Sequence, residues 1–566
     1  MVKNFSKYVI AAVIFIAICA AAYLVAPKAA GPEAGRWYSI IPPVIAIILA
    51  FLTKKVLFSL GSAIIIAGFL PPVNPEAAKT STIIDGLTRT ASFVFQSLIS
   101  WKTVWILGFI VIIFIMIEIL VISGGFAGVI KLMMRFIKGP TSAQFITALF
   151  GVLFFIDDYA NAIIIGSTMR PLTDRFRVSR EKLAFLVDAT SAPVTGLAVI
   201  STWIAYEVSL FEQVGGKLGI GKSGYSMFFD ALQFRFYCVL MIIFMFIHIF
   251  MKIDFGPMRT AEERSKRKDL SEIYENNTSH KKDSSSLAEH QRMGRPVSAI
   301  LPIAGLIIFH LFILWVSGGG WQKLSQGQSI MTLSYWRQTI SDVTDSSKLL
   351  VFSSTFGLVL AVTCAIFVEK IRVSRIAGAF LPGLKHSLLP MTILVLAWSL
   401  TNCCDSLRTG KFLASIIEGK VPPFLFPPLL FFTASITSFA TGTSWGTMGI
   451  LIPIGIPVAY ALDGNSYGLT TMISIGAVLD GAIFGDHCSP VSDTTILSSI
   501  ATRCELMRHV NTQLPYSLFT AALAIMLGYL PAAMGLNWIE TIAIAIIVMV
   551  VLFTIIKKIQ KPIRTV

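Results

Sequence analysis

Phe155-Ile-Asp-Asp-Tyr-Ala-Asn161 sets two adjacent carboxylates in the middle of an apolar region, 143–170, that ends at Arg170 and Pro171. An ionisable side chain at mid-bilayer costs roughly 2.5–3.5 kcal/mol, so Asp157 and Asp158 together cost on the order of 5 kcal/mol without a partner. The closest basic residue in sequence is Arg170. Such a stretch makes a poor continuous crossing helix and a good break between two half-helices. Backbone that is not helical survives at membrane depth only where protein buries it or a wet cavity solvates it. The break therefore marks a site.

A second stretch has the same form. Phe439-Ala-Thr-Gly-Thr-Ser-Trp445 interrupts the apolar region 422–461 with small and hydroxyl residues. Downstream of each break an aspartate precedes a proline: Asp188-Ala-Thr-Ser-Ala-Pro193-Val-Thr in the first half, Asp486-His-Cys-Ser-Pro490-Val-Ser in the second. Eight residues beyond each proline stands a hydroxyl pair, Ser201-Thr202 and Ser498-Ser499. The shared order reads as an internal repeat: a span, a broken hairpin, then a span interrupted by an Asp-to-Pro segment.

The rest of the chain fits a membrane. Of its 566 residues 55% are hydrophobic and 14% charged, against about 25% charged in soluble proteins. Apolar runs near 20 residues are long enough to span a bilayer. Hydropathy places spans at 8–26, 37–53, 56–72, 103–123, 183–206, 230–251, 297–316, 349–368, 387–404, 469–486, 513–533 and 537–556. The expected fold is an all-α polytopic membrane protein of about 12 transmembrane helices plus two re-entrant hairpins in an inverted-topology repeat. Lys3 and Lys7 before the first run resemble a signal peptide, but the run is long enough to span and is read as a retained helix. The seven cysteines show no paired extracellular spacing, which argues against a disulfide framework.

Charge sets the orientation. Net charge is +15, yet the Lys and Arg sit in short segments between apolar runs, as the positive-inside rule requires. That distribution excludes nucleic acid as the partner. If both hairpins return to the face they enter, Lys54-Lys55, Arg170–Lys182, Lys252–Arg295, Glu369–Lys385 and the C-terminal lysines all fall in the cytoplasm with both termini. Arg408, Lys411 and Lys420 then lie on the wrong side. The segment Lys252–Arg295 carries ten Lys/Arg and eight Asp/Glu and reads as a basic cytoplasmic linker without a fold of its own. The domains read as 1–102, N-terminal helices; 103–251, first repeat with hairpin 143–170; 252–296, linker; 297–386, connecting helices; 387–510, second repeat with hairpin 422–461; and 511–566, C-terminal helices.

In inverted-repeat transporters, broken helices meet near the midplane and build the binding site. The candidate cation- and proton-binding residues are Asp157, Asp158, Asn161, Asp188, Thr190, Ser191, Thr441, Thr443, Ser444, Asp486, His487, Ser489 and Asp493. Adjacent carboxylates at low dielectric titrate as a coupled pair. One such site can exchange a proton for Na⁺, and small hard cations take oxygen ligands. Na⁺ is expected at a subset of these residues, as cargo rather than cofactor. Alternatives stay open: Asp158 as a helix cap, His487 as relay or as a hydrogen-bond donor. Metal binding or nucleophilic catalysis at Asp486-His487-Cys488 is disfavoured because neighbours in sequence point apart. No GxxxxGK[ST] loop is present, which argues against ATP-driven pumping.

Gly485-Asp-His-Cys-Ser-Pro-Val-Ser-Asp-Thr-Thr-Ile-Leu-Ser-Ser499 resembles the signature of the NhaC family of bacterial Na⁺/H⁺ antiporters. Phe155–Asn161, Gly166-Ser-Thr-Met-Arg-Pro171, Asp174–Leu183 and Ser444-Trp-Gly-Thr447 are similar to the longer members. The resemblance runs from about Val104 to Ser517. It implies a bacterial inner-membrane protein, not an enzyme, that moves cations by secondary transport, with the bilayer, Na⁺ and H⁺ as its partners. Relatives that couple Na⁺ or H⁺ to organic acids or amino acids keep such a solute as the alternative cargo. A homodimer is compatible with the sequence.

Overall fold

The structure, a computed structural model, describes residue 13 and residues 15–24, 35–71, 83–267, 294–343, 346–417 and 420–560. Among these residues all regular structure is helical. Among the described residues nine helices are long and apolar enough to cross a membrane, ten if Gly224–Leu232 and Phe236–Met251, bent by 46°, form one span. Trp101–Ser123 is typical. Ser100 caps its start by accepting from the Lys102 amide, and Gly124, at φ 70°, ends it. Its 23 residues rise about 34 Å at 1.5 Å each, enough for a hydrocarbon core of about 30 Å.

Several spans are longer than hydropathy indicates. The region 387–404 is the end of a 34-residue helix, Val373–Ser406, which keeps Pro382 and Pro390 inside it. The region 513–533 lies within Leu506–Ala533, 28 residues long. Basic residues at the near ends (Arg375 and Lys385, then Arg508) lower the hydropathy without breaking the helix. The expected span 8–26 lies partly outside the described residues, and its described part is the helix Phe15–Leu24.

Both interrupted regions are pairs of helices. The first hairpin has arms Pro140–Leu153 and Asp158–Arg175, of 14 and 18 residues. Its second arm folds back on the first, because Asn161 donates to the Gly151 and Phe154 carbonyls at 2.8 and 3.2 Å. The second hairpin has arms Phe426–Thr441 and Ser444–Leu462, of 16 and 19 residues. Gly442 at its tip has φ +68°, and a Cβ there would lie 2.5 Å from the Val491 carbonyl oxygen.

The helix break near the first proline falls later than the sequence suggests, and the one near the second falls at Pro490 itself. Arg180–Thr195 runs unbroken through Asp188 and holds Pro193 in its last turn, with the gap at 196–201. Proline in a last turn removes few ladder bonds. Leu469–Cys488 likewise carries Asp486 and ends before Pro490, and Asp493–Thr502 follows.

Glycine permits the closest packing. A Cβ on Gly481 or Gly485 would lie 2.4 Å from the Phe431 oxygen or 2.2 Å from the Ser435 oxygen of the second hairpin. Small residues four apart let helix backbones approach in this way. In the first half, a Cβ on Gly151 would collide with Thr190 at 1.9 Å.

The segment beyond Met251 is partly folded, unlike the structureless linker expected. Helix Gly256–Arg267 docks on the start of the Asp188 helix: Ser179 N donates to Glu262 Oε1 at 2.8 Å, and Arg264 pairs with Glu181. Residues 268–293 lie outside the described set. All seven cysteines are free, and six are buried.

Candidate functional site

The hairpin tips are held by reciprocal contacts. Thr202 N, at the restart after the first gap, donates to the Ile156 carbonyl of the first tip at 2.9 Å. Ser489, in the second gap, donates to the Phe439 carbonyl beside the second tip at 2.7 Å. Each half then reaches across to the other. The Tyr206 ring, on the helix after the first gap, packs 4.5 Å from Trp445 of the second hairpin. On the helix after the second gap, Asp493 accepts from Tyr159 of the first hairpin at 3.3 Å.

Between these contacts lies one cavity of about 1260 Å³, lined by Asp157, Asp158, Tyr159, Thr441, Thr443 and Asp493 among others. Asp157, not Asp158, caps the second arm, accepting from the Ala160 amide at 2.8 Å through Oδ1. Its Oδ2 is buried and has no hydrogen-bond partner. Asp158 is the first residue of that arm and is also buried. Thr443 caps the facing arm, its Oγ1 accepting from Gly446 N at 3.4 Å. Two helix N-termini thus reach the cavity from opposite halves, each with a side-chain oxygen as its cap.

A second polar cluster lies behind the cavity wall. Asp188 accepts from Gln513 Nε2 at 2.8 Å, Thr495 Oγ1 at 3.3 Å and Ser498 Oγ at 3.4 Å. His509 Nε2 is 3.3 Å from it and His487 Nε2 3.9 Å. His487 Nδ1 meets the Tyr237 hydroxyl at 2.8 Å, and Gln513 also donates to the His487 carbonyl. Asp486 accepts from Thr494 at 3.4 Å, while its Oδ1 is buried without a partner.

Of the remaining expected ligands, Thr190 and Ser191 bond back within their own helix, and Ser444 and Asn161 join helices. Thr190 Oγ1 donates to the Leu186 carbonyl and Ser191 Oγ to the Asp188 carbonyl. Ser444 Oγ donates to the Ala482 carbonyl at 3.3 Å. Asn161 donates to the Thr190 carbonyl at 3.1 Å, joining the first hairpin to the Asp188 helix, and its Oδ1 is buried without a partner. The structure therefore gathers Asp157, Asp158, Thr441, Thr443 and Asp493 around one space, and Asp188 with His487 in a separate buried hydrogen-bonded cluster.

His509, Gln513 and Tyr237 were not among the expected residues. Starting the span at 513, when its helix begins at Leu506, hid the i, i+4 pair His509–Gln513, which faces Asp188 from one helix face. Also unforeseen is Arg235, fully buried at the bend before Phe236. It meets Asp480 at 2.7 Å and Glu207 at 3.6 Å and donates to the Gly196 carbonyl at 2.9 Å. Two carboxylates flank one guanidinium, so this arginine's charge is matched from within the protein.

Carboxylates buried where broken helices from two halves converge, inside a bundle of membrane-length helices, define a secondary transporter. Comparison with known proteins gives the family: the Na⁺/H⁺ antiporter family model matches residues 194–531, and the chain belongs to that family. An uncharacterized protein of Haemophilus influenzae is 29% identical over 525 residues, 92% of this chain and 95% of its own. The Na⁺/H⁺ antiporter NhaC of Alkalihalophilus pseudofirmus is 29% identical over 177 residues, 30% of this chain and 37% of its own. In fold the chain is similar to the Alcanivorax borkumensis YdaH transporter, with TM-score 0.54 at 12% identity, covering 87% of this chain and 99% of that one.

Proposed function

We propose that this chain exchanges Na⁺ for H⁺ across the bacterial cytoplasmic membrane by alternating access, with both termini on the cytoplasmic side. The observation that carries the proposal is Asp157 Oδ2, buried, without a hydrogen-bond partner, and belonging to a residue that lines a cavity shared with Asp158 and Asp493. A carboxylate so placed is offset either by a proton or by a small cation, and not by both at once. Competition of two cations for one group is the least machinery an antiporter needs. The Thr441 and Thr443 oxygens stand in the same lining and complete an oxygen donor set suited to Na⁺. Membership of the Na⁺/H⁺ antiporter family and the match to an NhaC antiporter support the same reading.

Purified protein in proteoliposomes with an imposed pH gradient and an entrapped pH dye tests it. Added Na⁺ should collapse the gradient. Loss of a charged ligand worth about 3 kcal/mol weakens binding roughly a hundredfold, so Asp157→Asn and Asp158→Asn, both in the cavity lining, should abolish the response to millimolar Na⁺. Undiminished exchange in both variants removes these carboxylates from the mechanism.

A further inference from the structure

Glu207 is buried on Thr202–Leu218, the helix that restarts after the first gap, and neither of its carboxylate oxygens has a hydrogen-bond partner. Arg235 Nη1 stands 3.6 Å from its Oε1, an ion pair too long to be a hydrogen bond. That arginine is committed elsewhere. Its Nε donates to Asp480 Oδ1 at 2.7 Å, and its Nη1 donates to the Gly196 carbonyl at 2.9 Å. Asp480 is in turn satisfied, since Tyr237 N and the Tyr529 hydroxyl each donate to its Oδ2 at 2.7 Å.

The charge count leaves a surplus. One guanidinium faces two carboxylates, all three side chains are buried, and Asp480 holds the closer contact. The charges on and around Thr202–Leu218 are otherwise paired among themselves: Lys222 with Asp230 at 2.6 Å, Lys102 with Glu212, and Lys217 with Asp405 at 3.7 Å. The neighbouring helix Ser444–Leu462 carries no charged side chain. The Tyr225 hydroxyl on Gly224–Leu232 donates to the Val199 carbonyl, and the Cys238 thiol lies 3.8 Å from Arg235 Nη2. An ionised Glu207 would thus carry a full negative charge at low dielectric with no donor on either oxygen and a minor share of one guanidinium. A proton removes that charge. Sodium is a poor fit, because it takes several oxygen ligands and would lie beside a guanidinium that repels it.

We propose that Glu207 is a proton-binding site outside the cavity, and that its proton leaves Arg235 free to anchor the first gap. Once ionised, Glu207 competes for the same Nη1 that holds the carbonyl of Gly196, where the gap begins. The effect reaches the cavity through Thr202, which closes the gap, lines the cavity, and holds the first hairpin tip through the Ile156 carbonyl. Glu207 lies on the same helix as Thr202, about 7.5 Å further along its axis at 1.5 Å per residue. The inference extends the antiport reading and rests on it for the sodium site: a second proton, which Na⁺ does not displace, keeps the tip beside Asp157 in its binding geometry. A tip released by loss of that proton binds Na⁺ less well.

Infrared difference spectra of the purified protein in lipid, titrated from mildly acid to alkaline pH, test the proton. Subtracting Glu207→Gln from wild type should leave a carboxylic-acid C=O band at neutral pH that vanishes at alkaline pH. Absence of that band at every pH overturns the site. If Glu207→Gln fails to fold, Glu207→Asp takes its place: the band should move in frequency, and an identical spectrum overturns the site equally. Binding of radiolabelled Na⁺ tests the link to the gap. The alkaline-to-neutral ratio of the Na⁺ Kd should be at least about fivefold larger in wild type than in Glu207→Gln, the low end for coupled sites. Equal ratios overturn the link. If wild type neither binds nor exchanges Na⁺, the antiport reading falls together with the link, while the infrared band still decides the proton site.

Discussion

Asp157 serves two purposes at once, and substitution separates them. Its Oδ1 caps the second arm of the first hairpin and its Oδ2 is left without a partner. Serine caps a helix about as well as aspartate, while alanine forfeits about 1 kcal/mol. Asp157→Ser should therefore keep the wild-type melting temperature and lose Na⁺-dependent flux, whereas Asp157→Ala should lose both. Equal flux in Asp157→Ser and wild type would reduce the residue to its cap. At Gln513 the expected effect is on stability. Gln513→Leu withdraws a 2.8 Å donor from the buried Asp188, at a cost of about 1–3 kcal/mol, which a thermal melt in detergent would register. The carboxylates were legible in the sequence because charge in an apolar run has no innocent explanation. Gln513 and His509 were not, since polar groups near a span's end look like loop until the helix start is known.

Helix breaks were legible as to presence and less so as to position. Tips at 154–157 and 442–443 fall where the polar residues interrupt the apolar runs. The Asp-to-Pro segments, by contrast, stay helical through their aspartates: Pro193 near a helix end displaces few hydrogen bonds, and Pro490 lies beyond the end of its helix. The glycines that set packing distance gave no sign beyond their spacing of four. Gly485→Ala would bring a Cβ to 2.2 Å from the Ser435 backbone oxygen, and overpacking of this kind costs about 1–3 kcal/mol. The variant should melt at a lower temperature than wild type, whereas Ala at Gly108, where nothing lies within 4 Å, should not. Matching melts would show that the two helices separate freely.

Across the whole molecule, one residue beyond the membrane helices ties distant segments together. Asp254 pairs with buried Lys182, accepts from the Tyr516 hydroxyl at 2.7 Å, and through its carbonyl accepts from Gln560 at 2.9 Å. Burial pushes its carboxyl up, but the adjacent Lys182 ammonium outweighs that and holds it below the ordinary carboxylate range. A carboxylate depressed in the folded state contributes stability above its unfolded pKa of about 3.9 and loses it as pH falls through the folded value. Asp254→Asn should cost roughly 3–5 kcal/mol near neutrality, the price of an unpaired buried ammonium, and should flatten the acid limb of a melting-temperature profile. An unaltered limb would assign acid sensitivity elsewhere. Charge parity in the sequence anticipated a basic segment after Met251, but not that its start is folded against both halves, since that depends on partners hundreds of residues away.

No cysteine appears in the lining of the large cavity, and six of the chain's seven thiols are buried. The native sequence is thus already close to a silent background for site-directed labelling. A lone thiol placed at Thr443 would report, through its rate of maleimide capture from either side of the vesicle, which way the passage faces as Na⁺ and pH are varied.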